Sequence, residues 1–200
     1  MRRKYKLIIL SLLLIAFAYT AYRFIRTVNP NNSYFVGQKL DSLNHVYVFY
    51  NGGVGHTGER NISDDGYNIG LTYQCVEFVK RYYYQHYHHK MPDSYGNAKD
   101  FFDASIKDGA LNSKRNLLQF TNPAKTKPMI GDLLVFDGHA GNKYGHVAIV
   151  SKVSDDAIEI IQQNPGPFSP SRVSFDLVNK NNKYEIKHER LLGWLRMKEL

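Results

Sequence analysis

Thr72-Tyr73-Gln74-Cys75-Val76-Glu77-Phe78-Val79-Lys80-Arg81 holds the one cysteine of a 200-residue chain, at the point where a polar approach gives way to an amphipathic helix pattern. A thiol on the first turn of a helix feels the positive end of the helix dipole, which favours the reactive thiolate. A lone cysteine has no intrachain disulfide partner and cannot build a multi-cysteine metal site. The competing expectation for Cys75 is a small buried hydrophobe, the usual state of a free cysteine.

Downstream, a helix is expected from Cys75 to about Tyr87. Cys75, Phe78, Val79 and Tyr82 share one side of it, and Lys80 and Arg81 point elsewhere. A second helix is expected from Ala98 to about Lys107. Met129-Ile130-Gly131-Asp132 then turns into Leu133-Leu134-Val135-Phe136, the first of three closely spaced strands. His146 to Val150 and Ala157 to Ile161 follow, and Leu191 to Met197 adds a late strand. Upstream, Val46 to Tyr50 is β-branched and aromatic and stops at Asn51-Gly52-Gly53, the mark of a short strand. Val54 to Gly70, with its glycines and polar residues, is expected as a long loop. Helices first and antiparallel strands afterwards give an α+β class, with N-terminal helices packed on an antiparallel sheet.

The chain opens with Arg2, Arg3, Lys4 and Lys6, followed by an apolar run from Leu7 to about Tyr22 and then Arg23 and Arg26. Basic residues ahead of an apolar run hold the N-terminus in the cytoplasm and send the remainder across the membrane. Residues 1–26 are therefore expected as a membrane anchor or signal segment, 27–39 as a polar linker and 40–200 as the folded domain. Ala16-Phe17-Ala18 resembles a cleavage site. Tyr19, Tyr22, Phe24 and Ile25 suit an interfacial belt, which favours an uncleaved single-pass anchor in a bacterial inner membrane, with the domain facing the periplasm or exterior. A lipoprotein anchor would need a cysteine just after the apolar run, where none stands. The net charge of +8 is mostly this segment: beyond residue 26 there are 20 basic and 18 acidic residues, so the domain lacks the excess of a nucleic-acid binder.

A cysteine nucleophile needs a base, and the base needs a third group to fix its ring. His146 opens a hydrophobic strand after Tyr144-Gly145 and is the candidate base. Gln162, Gln163 and Asn164 end the neighbouring strand. Alternation puts Gln162 and Asn164 on one face, where either amide oxygen is expected to accept the Nδ1 proton of His146. The alternative is that this triplet merely begins the loop before Pro165-Gly166-Pro167.

Together, Tyr73-Gln74-Cys75-Val76-Glu77-Phe78, Gly131-Asp132-Leu133-Leu134-Val135-Phe136, Gly145-His146-Val147-Ala148-Ile149-Val150, Gln162-Gln163-Asn164 and Leu192-Gly193-Trp194-Leu195 resemble the CHAP-domain cysteine amidases and peptidases. Within these they resemble the amidase domain of bacterial glutathionylspermidine synthetase-amidase. The resemblance runs from about Leu40 to Leu200. It implies a papain-like fold, no cofactor, attack of Cys75 on an amide carbonyl, and His146 as base and then acid. It also implies an oxyanion hole from the Cys75 amide and the Gln74 side chain. The family's strand end often reads Glu-Gln-Asn, so Gln162 is a departure. A neutral amide orients an imidazole but places no full charge beside imidazolium, which shifts the expected orienting role towards Asn164 and leaves a weakened binding module as an alternative.

An envelope-facing thiol hydrolase meets peptidoglycan peptides, the expected substrate, whereas a small conjugate such as glutathionylspermidine is the competing one. His86, His88 and His89 have no acidic or cysteine partner nearby, so no metal site is expected and a solvated helix end is. His56 is expected as a loop residue, and His139 ranks below His146 because Gly138 and Gly141 place it in a mobile turn.

Overall fold

Residues 2–198 are described by the computed structural model, so Met1, Glu199 and Leu200, at the expected outer limits of the first and last segments, lie outside the described residues. The apolar run, free of glycine and proline, forms α1 (Arg2–Thr27). Twenty-six residues reach about 39 Å at the helical rise. The helix is long and apolar enough to cross a membrane, and none of its apolar window is buried against the rest of the chain.

The domain then runs through β1 (Lys39–Leu43), β2 (Val46–Phe49), β3 (Arg60–Ile62), β4 (Asn68–Leu71) and α2 (Cys75–Tyr87). It continues with β5 (Leu111–Asn112), β6 (Leu117–Thr121), β7 (Leu133–Phe136), β8 (His146–Val153) and β9 (Ala157–Ile161). β10 (Arg172–Lys180), β11 (Lys183–Ile186) and β12 (Leu191–Arg196) complete it. Eight strands make one antiparallel sheet in the order β11-β10-β9-β8-β7-β12-β6-β5. The class is α+β.

Period-two alternation divides the sheet between two cores. On one face Leu133, Val135, Val147 and Ile149 meet Phe78, Val79, Tyr82 and Tyr83 of α2. On the other, Leu134, Phe136, Ala148 and Val150 meet Phe120, Trp194 and Ile160. β7 is buried on both faces, which is why its sequence is a continuous apolar run. The sheet curls until Tyr184 bridges Ala124. There the Asn122 side chain exchanges two 3.0 Å hydrogen bonds with the Ile186 backbone, closing the second core.

Several expectations are corrected. The helix expected from Ala98 to Lys107 is one 3-10 turn, Ala98–Phe101, opened by an Asn97–Asp100 capping box and ended by extended Phe102. Among the described residues only α2 packs on the sheet as a full helix. The expected Val54–Gly70 loop contains the β3–β4 hairpin, which covers the second side of α2. Lys80 and Arg81 do point away from the apolar side, yet both are buried. Lys80 Nζ donates to the Asn68 and Ser94 carbonyls and stands 4.8 Å from the Tyr67 ring centroid. β10 and β11 pair through Asn181 and Asn182, whose positive φ values of 54° and 56° make the primed turn that a tight hairpin needs.

Residues 27–39 are not a slack linker. The Arg26 carbonyl accepts the Gly55 amide at 2.8 Å, and Gly37 and Gln38 pair with the backbone of Tyr50. A Cβ on Gly53 would stand 2.4 Å from the Arg26 carbonyl oxygen, so only glycine allows this approach.

Gly145, which sets the start of β8, has φ +77° and no room for a Cβ, which would lie 2.4 Å from the Phe136 carbonyl oxygen. Gly145→Ala should cost about 2 kcal/mol or more by urea denaturation. Burial lowers Lys80 to about 7. Unfolded, it titrates near about 10.4, so between these values the folded state holds fewer protons and stability rises with pH. The urea midpoint of the native chain should gain on that of Lys80→Met as pH climbs from 7 to 10.

Candidate active site

Cys75 is the first residue of α2 and follows Gln74, whose extended backbone (φ −82°, ψ 158°) forms the N-cap. Tyr73, with φ +64°, turns the chain into the helix. As the first helical N–H, the Cys75 amide has no intrahelical acceptor. The thiol is half-buried at the edge of the core beneath α2. The amides of Val147, Val76 and Cys75 itself aim at the sulfur, yet burial outweighs them and pushes the thiol above its ordinary value. The thiolate expected from the helix dipole alone is thus not the resting form, because desolvation exceeds the first-turn stabilisation.

The Val147 contact fixes where His146 stands. It is the residue immediately before the amide that reaches the sulfur, at the start of β8 opposite Phe136. Its Nε2 pairs with Gln162 Oε1 at 3.0 Å. The expectation that Nδ1 would meet this amide is corrected: Gln162 holds Nε2, leaving Nδ1 to exchange a proton. Burial drives His146 down to about 4; the Gln162 bond opposes this, and the nearby charges of Arg190 and His188 add to the lowering. At neutral pH both the ring and the thiol are uncharged.

Asn164 does not orient His146. The chain leaves extended geometry there, with φ +54°, and Asn164 Nδ2 donates to Gln74 Oε1 at 2.9 Å. Gln74 Nε2 donates to the His56 carbonyl at 2.6 Å and lies 3.5 Å from Asn51 Oδ1. One of its two N–H groups is therefore committed, and the other is only weakly engaged. His56 enters through its backbone, not its ring.

Gln163, on the opposite face from Gln162, was not singled out by sequence, yet it is fully buried and uses its whole amide. Its Nε2 donates to the Gln74 carbonyl at 3.0 Å and to Glu77 Oε2 at 2.9 Å, and its Oε1 accepts the Phe49 amide at 2.8 Å. Glu77 binds Arg81 at 2.6 Å and Asn61 at 2.9 Å. A glutamate at the third helical position followed by arginine four residues on was the available signal. His139 lies exposed in its turn and accepts the Gly141 amide, apart from the thiol. His89 is not at a solvated helix end; it is buried with its ring 2.8 Å from the Arg115 carbonyl.

The family model of the CHAP domain matches residues 63–164, half of the chain, with Gln74, Cys75, His146, Gln162 and Asn164 all inside. The chain belongs to the CHAP-domain family. Trypanothione synthetase of Crithidia fasciculata is 32% identical over 108 residues, covering 54% of this chain and 16% of that protein. The bifunctional glutathionylspermidine synthetase/amidase of Escherichia coli (strain K12) is 30% identical over 147 residues, covering 68% of this chain and 23% of that one. This CHAP-domain chain thus spans about a fifth of the length of the curated relatives it matches. Among solved structures, the endolysin LysIME-EF1 aligns with 19% identity and a TM-score of 0.36, covering 68% of this chain and 57% of that one.

A cleft of about 510 Å³ reaches Gln162 and Asn164, while Cys75 and His146 are not among the residues that line it. It is bounded by Gln162 and Asn164, by Tyr34 and Tyr50, and by the Pro165–Ser171 loop, and no residue lining it is charged.

Gln162→Glu places a carboxylate on Nε2 and should raise the His146 pKa from about 4, read by NMR titration of the ring. Alkylation of Cys75 at neutral pH should speed up with it. Gln163→Leu strips partners from buried Glu77, from the Gln74 carbonyl and from the Phe49 amide, and should cost about 3 kcal/mol by urea denaturation.

Proposed function

We propose that this CHAP-domain protein is a membrane-anchored cysteine amidase or endopeptidase that cuts amide bonds in peptidoglycan peptides. The observation that carries the chemistry is the thiol of Cys75 under the Val147 amide, one residue from an imidazole whose far nitrogen is held by Gln162. Cys75 Sγ attacks the amide carbonyl as His146 Nδ1 takes its proton. The oxyanion is met by the Cys75 amide and, as the lesser donor, by the weakly engaged N–H of Gln74. The C–N bond breaks as His146 returns the proton to the leaving amine, and water then cleaves the thioester, giving a free acid and restoring the thiol.

Because both groups rest uncharged, proton transfer belongs to the attack itself. A substrate that displaces water and brings a carbonyl to the amide donors supplies the negative charge with a place to settle. Gln162 orients the ring, while Asn164 orients Gln74.

Topology supports the cell wall. Arg2, Arg3, Lys4 and Lys6, ahead of the apolar run of α1, favour a single span that leaves the domain outside the cytoplasm. The cleft supports it too, since a polyamine conjugate would bring ammonium groups to a lining without a carboxylate. The second reading, hydrolysis of a small conjugate, is favoured by the relative whose name includes glutathionylspermidine amidase.

Full-length protein in detergent, incubated with purified peptidoglycan, should yield fragments with newly freed amine and carboxyl groups by mass spectrometry. Cys75→Ala and His146→Ala should each lower the rate by at least about a thousandfold. Unchanged fragments together with cleavage of glutathionylspermidine would establish the second reading; activity retained in Cys75→Ala would overturn the mechanism.

A further inference from the structure

α1 is tied to the domain with no free chain between them. Its penultimate residue, Arg26, gives its carbonyl to the Gly55 amide at 2.8 Å, while Gly53 lies against the carbonyls of Arg26 and Val28. Asn29 Oδ1 accepts from the Tyr50 hydroxyl at 2.7 Å, Asn29 Nδ2 donates to the Tyr34 carbonyl at 2.7 Å, and Asn31 Nδ2 donates to the Pro167 carbonyl at 2.9 Å. Asn31, Ser33 and Tyr34 then line the cleft itself. Asn31 is four residues past the end of α1, so even a fully extended chain sets it within about 14 Å of the helix terminus.

Large apolar side chains stand exposed around that terminus. Phe35 and Phe168 are 69% and 72% exposed, and Val54 projects between the two glycines that touch Arg26. Residues 28–37, 51–57 and 165–171, around the helix end, hold no Asp, Glu, Lys or Arg, and His56 is their one histidine. Two exposed phenylalanines on such a surface are costly in water and suited to the boundary between headgroups and acyl chains. Arg23 and Arg26 lie in the last turns of α1, and Arg26 donates to the Tyr22 hydroxyl at 3.0 Å, a pairing suited to headgroup depth.

We infer that Phe35, Val54 and Phe168 rest in the outer leaflet of the membrane that holds α1, so that the mouth of the cleft faces the lipid surface. The cleft then receives amides presented close to that surface. The inference rests on α1 spanning the membrane.

The test uses the full chain with Cys75→Ser, reconstituted in phosphatidylethanolamine and phosphatidylglycerol vesicles. Single cysteines from Leu13→Cys, Phe35→Cys, Phe168→Cys and Asn116→Cys carry an environment-sensitive fluorophore, and nitroxide-bearing phospholipids serve as quenchers. Positions 35 and 168 should lose most of their emission, as position 13 does, while position 116, in the β5–β6 turn at the far edge of the sheet, keeps its own. Quenching at position 13 with none at 35 and 168 would overturn the inference and leave the anchor standing. No quenching at position 13 would overturn the anchor and the inference together.

Discussion

The buried amide of Gln163 joins the end of β9 to the start of α2. One side chain closes the Gln74 carbonyl, the Glu77 carboxylate and the Phe49 amide into a single network. Its neighbours on either side of the sequence face the other way, Gln162 to the imidazole and Asn164 to Gln74. Because the clamp holds the strand end against the helix cap, the ring-orienting amide and the thiol inherit a common frame. Buried polar groups are costly unless every one is paired, and here the pairing is what sets the register of the two catalytic elements.

Desolvation then decides the electrostatics. The helix terminus offers two amides to the sulfur and β8 a third, but burial raises the thiol and lowers the imidazole. With a neutral amide at position 162, no carboxylate among the described residues stabilises an imidazolium at His146 by a full charge. Both groups therefore rest uncharged.

The placement of Cys75 at a helix start and of His146 at a strand start, and most central strands, were legible from sequence, because a continuous apolar run such as Leu133–Phe136 and an apolar strand opened by a histidine leave little choice. Membership of the CHAP-domain family was legible from the same blocks. What escaped was context. Lys80 and Arg81 are buried by a hairpin assembled from residues that look like a loop. The Ala98–Lys107 pattern stops after one turn because Phe102 is extended and Asp103 starts a turn of its own. The exchange of roles between Gln162 and Asn164 follows from the positive φ at Asn164, which period-two alternation cannot anticipate.

The strap from Asn29 to Gln38 is at once the exit from α1 and one wall of the cleft. Proteolytic shedding within it would release a domain that keeps its thiol and imidazole but loses the Asn31–Pro167 and Asn29–Tyr50 bonds that shape the substrate side. If α1 anchors the domain and the cleft takes substrate as proposed, tethering and activity are coupled in one short stretch of chain.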